Sequence, residues 1–317
     1  MNQKDQLSVG LAQIAPVWLD KKKTTEKIAN YIDEAGSRKC DLIVFGEALL
    51  PGYPFWLGLT HGAKFNSRMQ KEFYAHYVQN AVCPEDGDLD SLSAVARKNG
   101  IAVYLGIVER ASDRGGHSLY CSLVFINKEG EIKSVHRKLQ PTYEERLVWA
   151  QGDGNGLRVH SIPPFTVGGL NCWENWMPLS RTALYSMGEN LHVAVWPGSR
   201  RNTEDISKFI AKESRSYVIS VSGLMKKENI HEQVPYQTVL IENAPDVLAD
   251  GGSCIVGPDG EWIFEPVVNE EGLFTSSIDF SKVLEERQNF DPSGHYSRPD
   301  VTRIQVNRDR QSILDIH

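Results

Sequence analysis

The sequence of 317 residues predicts an α/β protein in which two mixed β-sheets pack face to face, with helices on the outside. Two observations support this fold class. Apolar strand-like runs alternate with amphipathic helical segments along the chain, and hairpin turns join several of the strands. Doubly wound single sheets contain few hairpins, so two mixed sheets fit the pattern better. Because no linker or repeat interrupts the pattern, we expect one domain over residues 1–300 and a polar C-terminal arm over 301–317.

The individual elements follow from hydrophobic periodicity and from stop signals. The run at 42–45 is apolar throughout, as expected for a strand buried on both faces. A Lys-Glu-Gly-Glu turn between Ile126 and Ile132 predicts a hairpin. The predicted strands are 7–12, 42–45, 101–108, 119–126, 132–135, 165–170, 192–196, 217–222, 253–256, 262–264 and 273–279. The predicted helices are 24–35, 67–82, 90–98, 177–187, 206–214 and 282–287.

Composition and charge exclude several classes of function. Hydrophobic residues make up 41% of the chain and charged residues 24%, as in soluble globular proteins. The net charge of −7 argues against a nucleic-acid or anionic-membrane partner, because such binding needs a basic face. No apolar run approaches the ~18 residues of a membrane span. Five cysteines at irregular spacing, with no recognisable signal peptide, lead us to expect a reduced, cytoplasmic protein.

Cys172 lies between an apolar run that begins at Phe165 and a helical segment at 177–187. A thiol at such a strand-to-helix junction faces the positive end of a helix, which favours the thiolate. Most free cysteines, however, are small buried hydrophobes. This window alone therefore marks a candidate nucleophile and does not establish one.

Two further segments carry the groups that a thiol nucleophile needs. Glu47 directly follows the buried strand at 42–45, where burial would raise its pKa toward that of a general base. Lys138 follows the strand that starts at Ile132, and its ammonium group could stabilise a developing anion. Taken singly, Glu47 could equally be a solvated turn residue and Lys138 a surface salt-bridge partner.

Together these segments resemble the Glu, Lys and Cys motifs of the nitrilase superfamily, in the same chain order. The flanking residues are typical of its nitrilase branch: Pro51-Gly52-Tyr53-Pro54 after Glu47, Pro141-Thr142-Tyr143 after Lys138, and Trp173-Glu174 after Cys172. The segment from Phe290 to Asp300 is also similar to that branch. Gly46 stands where proline is commoner, which we expect to loosen the strand end. The chain also ends before the longer tail that many filament-forming members carry.

The resemblance implies an αββα sandwich and a set of catalytic roles. Cys172 would be the nucleophile, Glu47 the general base, Lys138 the cation over the tetrahedral intermediate, and Glu145 an additional carboxylate at the site. The implied reaction converts an organic nitrile to a carboxylic acid and ammonia through a covalent thioimidate and a thioester. The resemblance implies no metal and no organic cofactor. It also implies a homodimer or a higher homo-oligomer, for which the segment after Cys172 is a candidate interface.

Four aromatic residues in or beside the motifs predict an aromatic substrate pocket, which favours aryl or arylaliphatic nitriles. They are Tyr53, Trp56, Trp173 and Trp196. Each of them could equally belong to the core. Two groups of alternatives stay open at this stage: a nitrile or cyanide hydratase or an amidase with the same three residues, and a non-catalytic binding module. A metallohydrolase is disfavoured because there is no His-Glu-x-x-His motif, and a Cys–His protease because its candidate histidine, His192, lies within an apolar strand.

Overall fold

The computed structural model describes residues 5–313. Most predicted elements are present with bounds that differ by a few residues. The strands are β1 Gln6–Gln13, β2 Leu42–Phe45, β3 Ala102–Arg110, β4 Leu119–Ile126, β5 Ile132–Arg137, β6 His160–Ile162, β7 Phe165–Asn171, β8 Leu191–Trp196, β9 Tyr217–Ser222, β10 Leu224–Lys226, β11 Val247–Val256, β12 Trp262–Val268 and β13 Gly272–Asp279. The helices are α1 Lys21–Ser37, α2 Trp56–Leu59, α3 Arg68–Asn80, α4 Asp90–Asn99, α5 Pro178–Tyr185, α6 Arg200–Ser214, α7 Gln237–Asn243 and α8 Phe280–Arg287.

The strands form two mixed sheets. The first has the order β13-β1-β2-β3-β4-β5, in which β1, β2 and β3 are parallel and the other pairs antiparallel. The second has the order β10-β11-β9-β8-β7-β6, with β12 also paired to β11 and with β7, β8 and β9 parallel. Because β2 and β5 run in the same direction, their C-terminal ends reach the same edge of the first sheet.

Three apolar layers hold the two sheets and their helices together. Between the sheets, side chains such as Val44 and Tyr104 of the first pack with Val193 and Ile219 of the second. Ile28 and Ile32 of α1 and Leu92 of α4 cover the outer face of the first sheet. Ile206 and Ile210 of α6 cover the outer face of the second. The predicted four-layer αββα sandwich is confirmed.

The sequence missed the shortest elements. Strands β6 and β10 have three residues each, and α2 and α7 have four and seven, too few to display a hydrophobic period. Helix α6 starts at Arg200 rather than at 206 because its first turn is polar. In the described part of the chain, no helix has the length and apolar character needed to cross a membrane.

After α8 the chain forms neither helix nor strand through residue 313. It returns to the loop before β6: Asn155 Nδ2 donates to the Arg308 carbonyl over 3.0 Å, and the Gln311 amide donates to Asp153 Oδ2 over 3.0 Å. This extended course is what the polar composition favours. The domain boundary at residue 300 stays a prediction, and the arm's residues 314–317 lie outside the described residues, as do residues 1–4 of the predicted domain.

Candidate active site

The structure brings Glu47, Lys138, Cys172 and Glu145 together in one buried cluster. Lys138 Nζ donates to Glu47 Oε1 over 2.8 Å and to Glu145 Oε2 over 2.7 Å. A carboxylate oxygen of Glu47, a carboxylate oxygen of Glu145 and Cys172 Sγ all lie within 4.8 Å of one another. None of the four residues is more than 2% exposed. Charges that are buried this deeply need partners, and here each carboxylate shares the same ammonium group.

The turn that carries Glu47 is packed tightly against both sheets. The Glu47 amide donates to the Trp196 carbonyl, 3.1 Å away in the second sheet. A Cβ atom on Gly46 would lie only 2.9 Å from the Gly223 amide nitrogen, and one on Gly106 would lie 2.2 Å from the Gly46 carbonyl oxygen. The expectation that Gly46 loosens this strand end was therefore wrong, because the missing side chain allows closer backbone packing.

Cys172 is the first residue of a 3₁₀ turn, Cys172–Trp176, and has a φ of 48°. A positive φ is uncommon outside glycine and costs ~1–3 kcal/mol, so surrounding contacts must hold it. Asn171 and Glu174 supply them as a capping box, each side chain accepting a hydrogen bond from the other's backbone amide. The junction predicted from sequence is thus a strand, a 3₁₀ turn and then α5.

Glu174 also connects this turn to the segment that carries Lys138. Its carboxylate accepts the Leu139 amide over 2.6 Å and lies 3.1 Å from His136 Nε2. Two of the catalytic candidates are therefore positioned by one buried carboxylate. In the sequence, Glu174 stood out only as a flanking residue of the Cys172 motif. The signal was present as the Asn-x-x-Glu spacing of a capping box, but its contact with Leu139 depends on the fold.

Glu145 is held from three sides. It accepts hydrogen bonds from the Tyr53 hydroxyl to Oε1 over 2.9 Å and from the Thr142 amide to Oε2 over 2.6 Å, besides that from Lys138. Tyr53, predicted only as a pocket aromatic, is therefore also a hydrogen-bond donor to this carboxylate. The three donors fix the position of the Glu145 carboxylate.

Protonation within the cluster follows from burial and from neighbouring charges. Burial, and then the Glu47 carboxylate, raise the pKa of the Cys172 thiol well above its ordinary value, despite the opposing effects of the Lys138 charge and the Trp173 amide. The Trp173 amide at the start of the turn does favour the thiolate, as expected, but burial and the neighbouring carboxylates outweigh its effect on the pKa of Cys172. Burial alone would lower the pKa of Lys138, but neighbouring Cys172 and the two carboxylates raise it well above normal. Burial raises the pKa of Glu47 to about 7, against the lowering effect of Lys138.

A cavity of about 480 Å³ opens over Cys172. Tyr53 and Trp173 lie on its wall, as predicted, whereas Trp56 and Trp196 do not and are fully buried. Trp56 stacks on Phe73 in the core, and Trp196 Nε1 donates to Ser220 Oγ over 2.8 Å. The remaining lining residues, mostly polar, are Thr142, Glu144, Glu145, Pro197, Arg201 and Asn202. The wall is therefore more polar than the sequence predicted, since two of the four aromatics serve as core.

Two other chemistries fit the geometry less well. Glu47, Glu145 and Cys172 are close enough to share a metal ion, but the Lys138 ammonium group bonds to both carboxylates and repels a second cation. His192 is fully buried between Glu189 Oε1, at 3.0 Å, and Asn175 Oδ1, at 2.8 Å. Both of its ring nitrogens are thus occupied by groups other than Cys172.

Comparisons with known proteins identify the family to which the chain belongs. A family model described as carbon-nitrogen hydrolase matches residues 8–288. A protein named Nitrilase 2, from an unknown prokaryotic organism, is 37% identical over 97% of this chain and 95% of its own length. An aliphatic nitrilase of Rhodococcus rhodochrous is 34% identical over 95% of this chain and 82% of its own. A bifunctional nitrilase/nitrile hydratase of Nicotiana tabacum is 31% identical over 93% and 84%.

Solved structures share the fold at lower identity. A carbon-nitrogen hydrolase from Helicobacter pylori G27 superposes with a TM-score of 0.67 at 21% identity, covering 93% of this chain and 96% of that chain. An amidase from Nesterenkonia sp. superposes with a TM-score of 0.65 at 18% identity, covering 90% and 95%. At these identities the superpositions support the αββα sandwich alone.

Proposed function

Because the chain belongs to the carbon–nitrogen hydrolase family and to its nitrilase branch, we propose that it hydrolyses an organic nitrile to the carboxylic acid and ammonia. One observation carries the catalytic assignment: the Cys172 thiol on the cavity wall lies beside the buried Glu47 carboxylate, whose pKa is raised and which is bonded to the Lys138 ammonium group. These are the nucleophile, the base and the anion-stabilising group that covalent hydrolysis needs.

In the first half of the proposed reaction, Glu47 takes the proton of Cys172 as the sulfur attacks the nitrile carbon. Since the thiol rests protonated, this transfer to a base within 4.8 Å is required for attack. The nitrile nitrogen gains a proton, and a thioimidate bonded to Cys172 results. In this scheme Lys138 and the Trp173 backbone amide, which both lower the pKa of the Cys172 thiol, stabilise the negative charge that develops beside the sulfur.

In the second half, Glu47 activates a water molecule that adds to the thioimidate carbon. The tetrahedral intermediate expels ammonia and leaves a thioester, and a second water releases the acid and restores the thiol. The balanced reaction consumes one nitrile and two waters and yields one acid and one ammonia. Glu145 holds the Lys138 ammonium in place, since it accepts one of its hydrogen bonds and is itself anchored by Tyr53.

The same intermediate can expel the thiol instead of ammonia, which yields an amide. The curated relatives favour nitrile hydrolysis over a hydratase or an amidase. The test measures ammonia, acid and amide separately from matched nitriles and amides across aliphatic, aromatic and arylacetonitrile series. Turnover of amides alone would overturn the proposal. A non-catalytic module is tested by treatment with an electrophilic nitrile analogue and intact mass analysis, where an unlabelled Cys172 would support that alternative.

The pH dependence of the reaction follows from Glu47. A base must be ionised to accept a proton, and burial places the pKa of Glu47 at about 7. We therefore expect kcat/KM to fall as the pH drops through about 7, approaching a tenfold loss per pH unit below it. Initial rates across about pH 5 to 9 measure this profile. A rate that stays constant between about pH 5 and 7 would show that Glu47 is not the base.

We also propose that two copies associate through an exposed apolar surface beside the site. It comprises Trp173, Trp176 and Leu179 near the start of α5 and Phe209 on α6, which are 50%, 45%, 72% and 51% exposed. Arg181 of α5 packs over the Phe209 ring at 5.4 Å, so the two helices present one continuous face. Apolar surface of this kind marks protein interfaces, and a second copy supplies a matching face.

Light scattering after size-exclusion chromatography tests this association. We expect a dimer or a larger assembly for the native chain and a smaller species for Leu179→Lys, with Leu284→Lys on α8 as an exposed apolar control. A native monomer would contradict the proposed interface.

All five cysteines are free and buried, which supports the proposed reducing, cytoplasmic location.

A further inference from the structure

Cys121 is a second buried thiol beside the proposed base. It lies on β4, is 1% exposed, and its Sγ lies 3.4 Å from Glu47 Oε1. Lys138 Nζ donates to the same oxygen over 2.8 Å. The other oxygen, Glu47 Oε2, is buried and has no hydrogen-bond partner among residues 5–313. The two oxygens of the base are thus in different environments, one with two donors and one with none.

The Cys121 thiol is able to donate because it keeps its proton. Burial, followed by the Glu47 charge, raises its pKa well above the ordinary value. The alternative acceptor, Asn171 Oδ1, is farther away at 3.9 Å. In addition, the Cys121 carbonyl accepts the Lys138 amide over 2.8 Å, so this β4 residue contacts both partners of the ion pair.

We infer that Cys121 is a positioning residue for Glu47. The Cys121 thiol and the Lys138 ammonium group together hold Glu47 Oε1, so that Glu47 Oε2 is left to exchange protons with Cys172. This inference rests on the proposed role of Glu47 as the base. A carboxylate held at one oxygen by two donors cannot rotate without breaking both hydrogen bonds. The oxygen without a partner then keeps the proton affinity that a base requires.

Removal of the thiol affects both the orientation and the proton affinity of Glu47. The groups that face this carboxylate are Lys138, Glu145, Cys172 and Cys121, and the first three stay in place in a Cys121 variant. Because the lost hydrogen bond favoured the ionised form, the pKa of Glu47 rises. The acid limb of any process that requires ionised Glu47 therefore moves to higher pH.

The experiment compares Cys121→Ala and Cys121→Ser with Cys254→Ala, which removes an equally buried thiol from β11, where its Sγ lies 3.9 Å from Ser207 Oγ. Two quantities are measured against pH: nitrile turnover, and the rate at which iodoacetamide alkylates Cys172, located by peptide mass spectrometry. For Cys121→Ala we expect the acid limb of both to move up by about half a pH unit and kcat to fall about 3- to 10-fold with KM unchanged. Cys121→Ser keeps a hydrogen-bond donor, so its shift of the acid limb and its loss of kcat should both be smaller than those of Cys121→Ala. Cys254→Ala should match the native profile.

An unchanged acid limb in Cys121→Ala would overturn the inference and identify Cys121 as an ordinary core residue. If the alanine variant does not fold, Cys121→Val fills the space without a donor and the same comparison applies. The alkylation readout needs no nitrile turnover. A shifted alkylation limb in a protein that hydrolyses no nitrile would therefore support the positioning role while contradicting the proposed function.

Discussion

Cys172→Ala is expected to lower nitrile turnover by at least ~10⁴-fold, because the covalent intermediate has no other sulfur to form on. Cys172 lies at the floor of the cavity, with the Glu47 carboxylate within 4.8 Å. The other thiol near this base, Cys121, is bonded to Glu47 Oε1 and is absent from the cavity wall. Steady-state assays of ammonia and acid release measure the loss.

The fold should tolerate this change. Alanine removes one sulfur atom from a buried site and leaves the Asn171–Glu174 capping box intact, so we expect a melting temperature within a few degrees of the native value. Cys254→Ala, which deletes a buried thiol from β11, serves as the matched control and should remain active. A Cys172→Ala variant that kept more than about one hundredth of the native rate would contradict the covalent mechanism and would favour direct attack by water on the nitrile.

Lys138→Met is expected to reduce both activity and stability. The side chain is fully buried and is bonded to Glu47 and Glu145, so its loss leaves two carboxylates without a counter-charge. Removal of one partner from a buried ion pair typically costs about 3–5 kcal/mol of unfolding free energy. Loss of the cation that is proposed to stabilise the intermediate should also lower kcat, by ~10²- to 10³-fold. Denaturant unfolding and turnover under conditions where the variant is folded measure the two effects separately.

A second substitution separates the structural role of Lys138 from its catalytic role. Glu145→Gln added to Lys138→Met removes one of the two uncompensated charges and keeps the acceptor for the Tyr53 hydroxyl. We expect the double variant to regain part of the lost stability but none of the lost activity. Activity that returned together with stability would show that Lys138 only holds the fold and does not act on the intermediate.

Only two of the four aromatic residues that the sequence predicted for the pocket line the cavity. Tyr53 and Trp173 line the cavity, while Trp56 and Trp196 pack in the core. Tyr53 and Trp56 lie in the same segment after Glu47, so proximity in sequence could not separate the cavity residue from the core residue. Arg201 and Asn202, which do line the cavity, open α6 more than 25 residues after Cys172 and carried no motif signal.

The sequence by itself determined the layers of the fold and the identity of the clustered side chains. The periodic spacing of apolar residues and the residue types at turns are local properties of the sequence. Glu47, Lys138 and Cys172 each follow a strand that this spacing predicts. Only the tertiary structure decided that burial raises the pKa of the Cys172 thiol, that Cys121 and Lys138 share one oxygen of Glu47, and that Glu174 joins two of these segments. The physical reason is that pKa values and hydrogen-bond partners depend on burial and on groups distant in the chain, which come together only when the two sheets pack.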